Sequence, residues 1–482
     1  MTKLIEPSCD HLADLSGIVG EGGMLAASDE STQSYLVEPR GLYRGHAAAV
    51  LRPATTDQVA TVVGFCNTHR IGVLPYGGGT GLVGAQVAPD GPTPVVLSLE
   101  RMNRVREIMP EDGAIIAEAG VFLSDLQETA RDVGRLFPLS LAAEGTCRIG
   151  GNLATNAGGV QVLRYGNARD LCLGIEAVMA DGSVMSGLKA LRKDNTGYDL
   201  RNLLIGSEGT LGVITAAALK LFPLPGETVT AMLAVPSPET SVTLLQTLRE
   251  RLGDGVTAFE LIADQGVAFL AEFFPEKADP LESRPPWRVL VEMTGPAEGG
   301  LRGRAETALE TLFEEGLAID GVLAANEAQR RHMWWMREML PECNRRVGSV
   351  SSHDISLPLS RIGAFIAEVP AIVARFDSDL RVNCFGHVGD GNLHYNIFPP
   401  AGRAVSEFRH LSAEVRRAIH DLVDAHGGSI SAEHGIGRMK TGDLIRYGDP
   451  ARVAAMRAIK AALDPNGILN PGAVLVDEAL TD

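Results

Sequence analysis

A chain of 482 residues is long enough for two or three domains, and its 45% hydrophobic, 21% charged composition excludes a disordered or low-complexity protein. A net charge of −17 excludes nucleic acid and anionic membrane as main partners, since both select basic surfaces. An anionic small molecule in a locally basic pocket stays compatible with it. No window approaches the roughly 18 apolar residues of a membrane span. Six cysteines without a CxxC pairing read as reduced thiols. Residues 1–15 carry Glu6, Asp10 and Asp14 and resemble neither a secretory signal nor a transit peptide, so the expected location is cytoplasmic.

In chain order, Thr55-Thr56-Asp57-Gln58 fits a capping box that opens an apolar-periodic helix to about residue 69. A strand over 71–74 then runs into Pro75-Tyr76-Gly77-Gly78-Gly79-Thr80-Gly81-Leu82. Strands are expected over 95–99 and 114–119, with Ser124 and Gln127 as a second capping box. Residues 175–180 and 183–185 read as a hairpin about Asp181-Gly182. From about residue 227 the rhythm changes: strand 229–235, helix 237–252 with Pro238 in its first turn, and strand 256–262. Strand 287–293, helix 298–315 and strand 317–323 follow. This β-α-β-β-α-β order is ferredoxin-like, with helices on one face of the sheet.

Gly386-His387-Val388-Gly389-Asp390-Gly391-Asn392-Leu393-His394 carries the chemistry. Asp-Gly signals a two-residue hairpin turn between strands 381–385 and 393–398. That turn pairs 387 with 394, with Cβ atoms roughly 4.5–5.5 Å apart, so two imidazoles can share one metal ion. The competing reading is a pair of solvated histidines in a glycine-rich turn. Ser431-Ala432-Glu433-His434-Gly435 adds a third ligand, Glu433, and leaves His434 over. Two histidines and a carboxylate with an open position form a catalytic rather than structural site. Zinc suits that donor set, and manganese or iron fits nearly as well.

Three glycine-rich segments occupy the first half: 77–84, 145–159 and 206–214. Their backbone N–H groups can form concave anion sites. Gly79 to Gly84 spells GxGxxG after a strand, but Pro89 and Pro92 follow where a Rossmann site needs a helix. A Rossmann site is therefore not supported, and there is no Walker A motif.

These segments, with Gly386 to His394, Glu433-His434-Gly435 and Asn470-Pro471-Gly472, occur in the order of the FAD-linked 2-hydroxyacid dehydrogenases, members of the vanillyl-alcohol-oxidase-like flavoproteins. The chain resembles that family over essentially its full length. Arg192-Lys193-Asp194-Asn195-Thr196-Gly197-Tyr198-Asp199-Leu200 is most similar to D-2-hydroxyglutarate dehydrogenases. The resemblance implies an α+β protein: a vanillyl-alcohol-oxidase-type FAD domain over 1–222 and a ferredoxin-like substrate (cap) domain over 223–400. A helical C-terminal segment over 401–482 completes the active site and returns to the FAD domain.

It also implies roles. Pro75, Gly77, Gly78, Gly79, Thr80, Gly81 and Leu82 would cradle the FAD pyrophosphate. Gly145, Thr146, Gly150, Gly151, Asn152, Ala154, Thr155, Asn156, Gly158, Gly159, Glu208, Gly209, Gly212, Val213, Ile214 and Asn470 would line the rest. Residues 77–84 hold no histidine, so non-covalent FAD is expected. The implied reaction passes a hydride from C2 of a D-2-hydroxy acid to the flavin. His387, His394 and Glu433 would hold a divalent ion that polarises the hydroxyl, and His434 would be the base. Arg337, in Trp334-Trp335-Met336-Arg337, would anchor the substrate carboxylate. Asn396 would also touch substrate. An electron-transfer flavoprotein or a quinone-linked carrier is the implied electron acceptor, and a homodimer stays open.

One departure bears on the substrate. Ser352 in Ser351-Ser352-His353-Asp354-Ile355-Ser356-Leu357-Pro358 stands where D-2-hydroxyglutarate dehydrogenases carry lysine, and Pro341 stands where they carry threonine. A protonated His353 could compensate. D-lactate and glycolate dehydrogenases of the same family are therefore the alternatives. An oxidase using O₂ directly, or a non-catalytic FAD subunit of an oxidase complex, are rivals of other kinds; such a subunit should lack the ligands or base that this chain keeps.

Overall fold

The computed structural model describes residues 3–476. The chain divides into two compact units, one drawn from Met1–Gly158, Asn167–Leu224 and His434–Asp482, the other from Gly159–Gly166 and Pro225–Glu433. Among the described residues, no helix is long and apolar enough to cross a membrane.

In the first unit Met24–Ala26 (β1), Ala49–Leu51 (β2), Val73–Tyr76 (β3) and Val95–Ser98 (β4) form a sheet in the order β1-β2-β4-β3, parallel where β2 and β3 flank β4. Val105–Met109 (β5), Ala114–Glu118 (β6), Arg135–Leu136 (β7), Cys172–Val178 (β8), Val184–Ser186 (β9), Val213–Lys220 (β10) and Phe222–Pro223 (β11) follow. Five of these make an antiparallel sheet in the order β5-β6-β10-β8-β9. Strands β4 and β6 are buried along their whole length, as apolar runs covered on both faces should be.

Local signals hold in part. The helix Thr56–His69 is capped by Thr55, whose hydroxyl accepts the Gln58 N–H at 3.2 Å. The Gln58 side chain accepts from Ala54 rather than from Thr55, so only half of the expected box forms. The box at Ser124 does not form. Its helix, Leu123–Asp132, is capped at Phe122, two residues before the expected cap, because Leu123 and Leu126 are both drawn into the core, and Gln127 donates to the Leu139 carbonyl instead. The hairpin of β8 and β9 closes through residues 179–183, not through two residues. No helix lies between β3 and β4, in keeping with the absence of a Rossmann turn.

In the second unit Glu227–Val235 (β12), Val256–Ala263 (β13), Trp287–Gly295 (β14), Asp320–Leu323 (β15), Ser351–Ser356 (β16), Arg381–Gly386 (β17) and Asn392–Phe398 (β18) form one antiparallel sheet in the order β15-β12-β14-β13-β17-β18-β16. The first four are arranged as in a ferredoxin-like sheet, and the last three extend it past β13. Helices Pro238–Leu252 and Leu301–Glu314 pack on one face as expected. The latter begins at 301 rather than 298, after Gly300 at φ +56°. Helices on one face only does not hold. Asp264–Phe273, Glu327–Glu338 and Leu340–Val347 cover the other face, where Phe269, Met333, Met336 and Leu340 share a core with Met232, Ile262, Leu290 and Phe385. All eight residues of β13 are buried, which requires a cover on both sides.

Candidate active site

The histidine hairpin forms with a different register from the expected one. His394 pairs with Phe385, not with His387. His387 lies in the connection itself, where its carbonyl accepts the N–H groups of Asp390 and Asn392. The turn is therefore wider than Asp390-Gly391. Its register is pinned by chain beyond β16: Leu357 donates to the Gly391 carbonyl at 3.0 Å, and Gly391 has φ +89°. A Cβ there would fall 2.3 Å from the Leu357 oxygen. The histidines meet diagonally instead, a relation long side chains can bridge. Their rings lie 5.4 Å apart at 82°.

Glu433 completes the cluster. Its two oxygens lie 3.4 Å from His387 Nε2 and 3.9 Å from His394 Nε2, and one ligand atom from each residue falls within 4.8 Å of the others. A tetrahedral zinc with bonds of about 2.1 Å has ligand atoms roughly 3.4 Å apart. The donor set and its spacing fit a divalent ion. Both Nδ1 atoms face other carboxylates: His387 Nδ1 is 2.6 Å from Glu260 Oε1, and His394 Nδ1 is 3.9 Å from Asp354 Oδ1. Asp354 Oδ2 accepts the Glu433 backbone N–H at 2.9 Å and holds the loop of that candidate ligand.

Charge follows the packing. Burial favours a neutral His387 ring, but the charge and hydrogen bond of Glu260 outweigh it and hold the ring up at about 9. Burial opposes ionisation of Glu260, yet His387 and Arg337 bring its carboxyl down to about 2. Burial pushes Glu433 up to about 8, with Asp354 and Asp390 adding to the rise against the opposing pull of His387.

Arg337 is buried, and its Nε donates to Glu260 Oε2 at 2.6 Å. Its guanidinium lies over the Phe385 ring at 4.8 Å. Its two Nη groups make no hydrogen bond among the described residues. Asn396 shares a sheet face with His394, two residues before it on β18, and pairs in register with Ser352 on β16. Ser352 is exposed and shares a hydrogen bond with Ser349. Pro341 is exposed in the first turn of its helix, a position that suits proline. His353 cannot stand in for the missing lysine. Alternation along β16 turns it to the opposite face, where it bonds Ser351 and packs on His420.

In the first unit the glycine segments come together through close backbone contact. A Cβ on Gly78 would lie 2.2 Å from the Thr146 oxygen, one on Gly77 would lie 3.2 Å from Gly151, and one on Gly209 would lie 3.0 Å from Pro75. Asn156, Glu208 and Asn470 have left-handed backbones, φ 51°, 52° and 43°, a strain that clusters at functional sites. The Glu208 carboxylate accepts the N–H groups of Ile436 and Gly437 at 2.7 and 2.8 Å, and its carbonyl accepts from Asn470 at 2.7 Å. Glu208 and Asn470 thus clamp backbone, including the residues just after His434. His434 itself is half-buried in the bend that opens this segment. Thr155 bonds the Gly151 carbonyl, Gln86 holds the Gly81 carbonyl, and Val213 and Ile214 begin β10. Buried Asn152 leaves its Oδ1 without a partner, an orphan that a flavin N–H would satisfy. These segments fit a bound FAD. Gly159 opens the short 159–166 stretch that belongs to the second unit.

Comparison with known proteins agrees with this architecture. A model described as "FAD binding domain" matches residues 47–187, and one described as "FAD linked oxidases, C-terminal domain" matches residues 224–474, more than half the chain. The chain belongs to the FAD-linked oxidase family. It is 37% identical over 475 residues to the mitochondrial D-2-hydroxyglutarate dehydrogenase of Bos taurus, covering 98% of this chain and 84% of that one. It is 36% identical over 465 residues to the D-2-hydroxyglutarate dehydrogenase of Stutzerimonas stutzeri strain A1501, covering 96% and 98%. The solved structure of p-cresol methylhydroxylase with substrate bound matches with a TM-score of 0.75 at 18% identity, covering 98% of this chain and 97% of that one. That likeness establishes the vanillyl-alcohol-oxidase-type fold of this FAD-linked oxidase.

Glu260 and Asp354 are not among the candidates that the amino-acid order supplies. Each left a signal there: a single carboxylate inside an otherwise uncharged strand, Val-Thr-Ala-Phe-Glu-Leu-Ile-Ala for Glu260 and Ser-Ser-His-Asp-Ile-Ser for Asp354.

Proposed function

We propose that this FAD-linked oxidase oxidises a D-2-hydroxy acid, D-2-hydroxyglutarate or a close relative, to the 2-oxo acid. The observation that carries the proposal is the convergence of His387, His394 and Glu433 in one unit with the buried cation Arg337, joined to His387 through Glu260. The relatives' names support the substrate class. Chemistry from outside the chain consists of hydride acceptance by FAD and Lewis acidity from a divalent ion held by His387, His394 and Glu433.

The chain's own residues do the rest. The Nη groups of Arg337 bind the substrate carboxylate and fix the C1 end. Asn396 orients the substrate from the same strand face as His394. His434 removes the hydroxyl proton as hydride leaves C2. FAD is held without a covalent bond, so acid precipitation should leave flavin in the supernatant. Reoxidation falls to an electron-transfer flavoprotein or quinone-linked carrier, and a cytoplasmic location suits six free cysteines.

A kinetic panel of D-2-hydroxyglutarate, D-malate, D-lactate and glycolate with an artificial electron acceptor tests the proposal. Oxidation of at least one D-acid, with its L-enantiomer inert, is expected. Inactivity toward all four in flavin- and metal-replete protein would overturn it. Ser352 favours a second reading within the class, a shorter acid such as D-lactate, because no cation stands at the position opposite Asn396.

A further inference from the structure

Glu260 is fully buried at the middle of a central strand, where an ionised carboxylate is costly unless it is paired. Its two oxygens are divided between two elements. Oε1 meets His387 in the hairpin connection, and Oε2 meets Arg337 near the end of the helix Glu327–Glu338, both at 2.6 Å. We propose that Glu260 is a positioning residue that sets the metal ligand and the substrate anchor together. It holds the proton of His387 on Nδ1, so that Nε2 is presented to the ion. It also occupies Arg337 Nε, so that the substrate carboxylate is left the two Nη groups. The proposal rests on the functional reading above and goes beyond it.

Two general constraints and one set of contacts support the coupling. An imidazole can ligate through Nε2 only if the proton sits on Nδ1, and a carboxylate on Nδ1 fixes that tautomer and the ring's orientation. Arginine can grip a carboxylate through Nε and one Nη or through both Nη, and a buried acceptor on Nε leaves the second mode. The guanidinium plane is backed by Phe385, whose ring also packs on His394 at 5.1 Å. Glu260, Arg337, Phe385, His394, Glu433 and His387 therefore form a closed ring of contacts about one point.

Glu292, one strand over on β14, shows what an ordinary anchor looks like. It accepts from Thr230, Arg330 and Trp334 at 3.0, 3.1 and 2.7 Å and, among the described residues, makes no hydrogen bond to the candidate site residues. Arg330 and Trp334 lie on the same helix as Arg337, so that helix stays tied to the sheet without Glu260.

The test compares the full-length flavoprotein with its Glu260→Gln variant. Zinc affinity is measured by competition with a chromophoric chelator, and KM and kcat are measured on the best acid of the panel. Zinc affinity should fall by roughly 10–100-fold, as loss of a carboxylate behind a metal-bound histidine usually causes. KM should rise about tenfold, and flavin content should not change. Equal zinc affinity and equal KM in the two proteins would overturn the proposal. A wild-type protein that binds no stoichiometric zinc would instead overturn the functional reading beneath it. If Glu260→Gln does not fold, Glu260→Gln combined with Arg337→Met removes the unpaired buried cation. That double variant should bind zinc weakly, while Arg337→Met alone should bind it nearly as well as wild type. Equal zinc affinity in those two would also overturn the coupling.

Discussion

The two units build their candidate ligand sites by opposite means. In the first, the candidate FAD segments are shaped by backbone: glycines in near contact, left-handed residues, and a carboxylate and an amide that hold N–H and C=O groups. In the second, backbone supplies only a sheet, and the site is made of imidazoles, carboxylates and one guanidinium bonded to each other. A backbone site should therefore be damaged by an added methyl group and indifferent to charge. A side-chain site should respond in the reverse way.

The largest expected effect lies at the first residue after the second unit. His434→Ala should lower turnover by roughly 10²–10⁴-fold while flavin stays bound, as read from the absorbance spectrum of the purified variant. Wild-type turnover would remove the base assignment. Stripping metal with EDTA should then cost about 10³-fold in rate, corresponding to several kcal/mol of Lewis-acid stabilisation, again with flavin retained. Recovery with zinc or manganese checks that the loss is reversible.

Gly78→Ala should do the converse. The new Cβ would press on the Thr146 carbonyl, and a forced backbone shift of about 1–3 kcal/mol predicts roughly 10–100-fold weaker FAD binding with zinc affinity intact. A variant that loses both ligands would break the contrast between the units. The pH dependence of metal binding sharpens it further. His387, held up at about 9, and Glu433, pushed up to about 8, both carry protons at neutral pH in the metal-free protein. A metal must displace those protons, so zinc affinity should rise between pH 7 and about pH 9 and level off above that. FAD affinity should be nearly flat across the same window. The smallest effect concerns the tail: Ser352→Lys should improve kcat/KM for D-2-hydroxyglutarate about tenfold relative to D-lactate by adding a cation opposite Asn396.

Much of this was legible in the amino-acid order because it is local. Alternation and turn residues located β12 to β15 and the strands around the histidines, and glycine density marked the segments that approach one another. What escaped depends on distant chain. The Asp390-Gly391 signal describes an isolated hairpin, whereas the real register is set by Leu357. The Ser124 box lost to burial of Leu123. Glu260 lies 127 residues from His387 and 77 from Arg337, so a lone glutamate in an apolar strand gave no hint of its partners. The histidine pair was anticipated through the wrong register, and it survives because two rings reach diagonally as well as straight across.

The sheet order carries a last consequence. Strands β13 and β17 join through only two residue pairs, Leu261 with Gly386 and Ile262 with Phe385. That junction is a seam between a four-strand half that carries Glu260 and Arg337's helix and a three-strand annex that carries both histidines. The annex ends at β16, an edge strand, and Ser352 sits on it facing solvent. On the proposed function, recognition of the acid's head would be locked at the centre of the sheet, while its tail would be read from the rim. Edge positions can be exchanged with little disturbance to the fold, so one reaction can be handed from one hydroxy acid to another by changing the border alone.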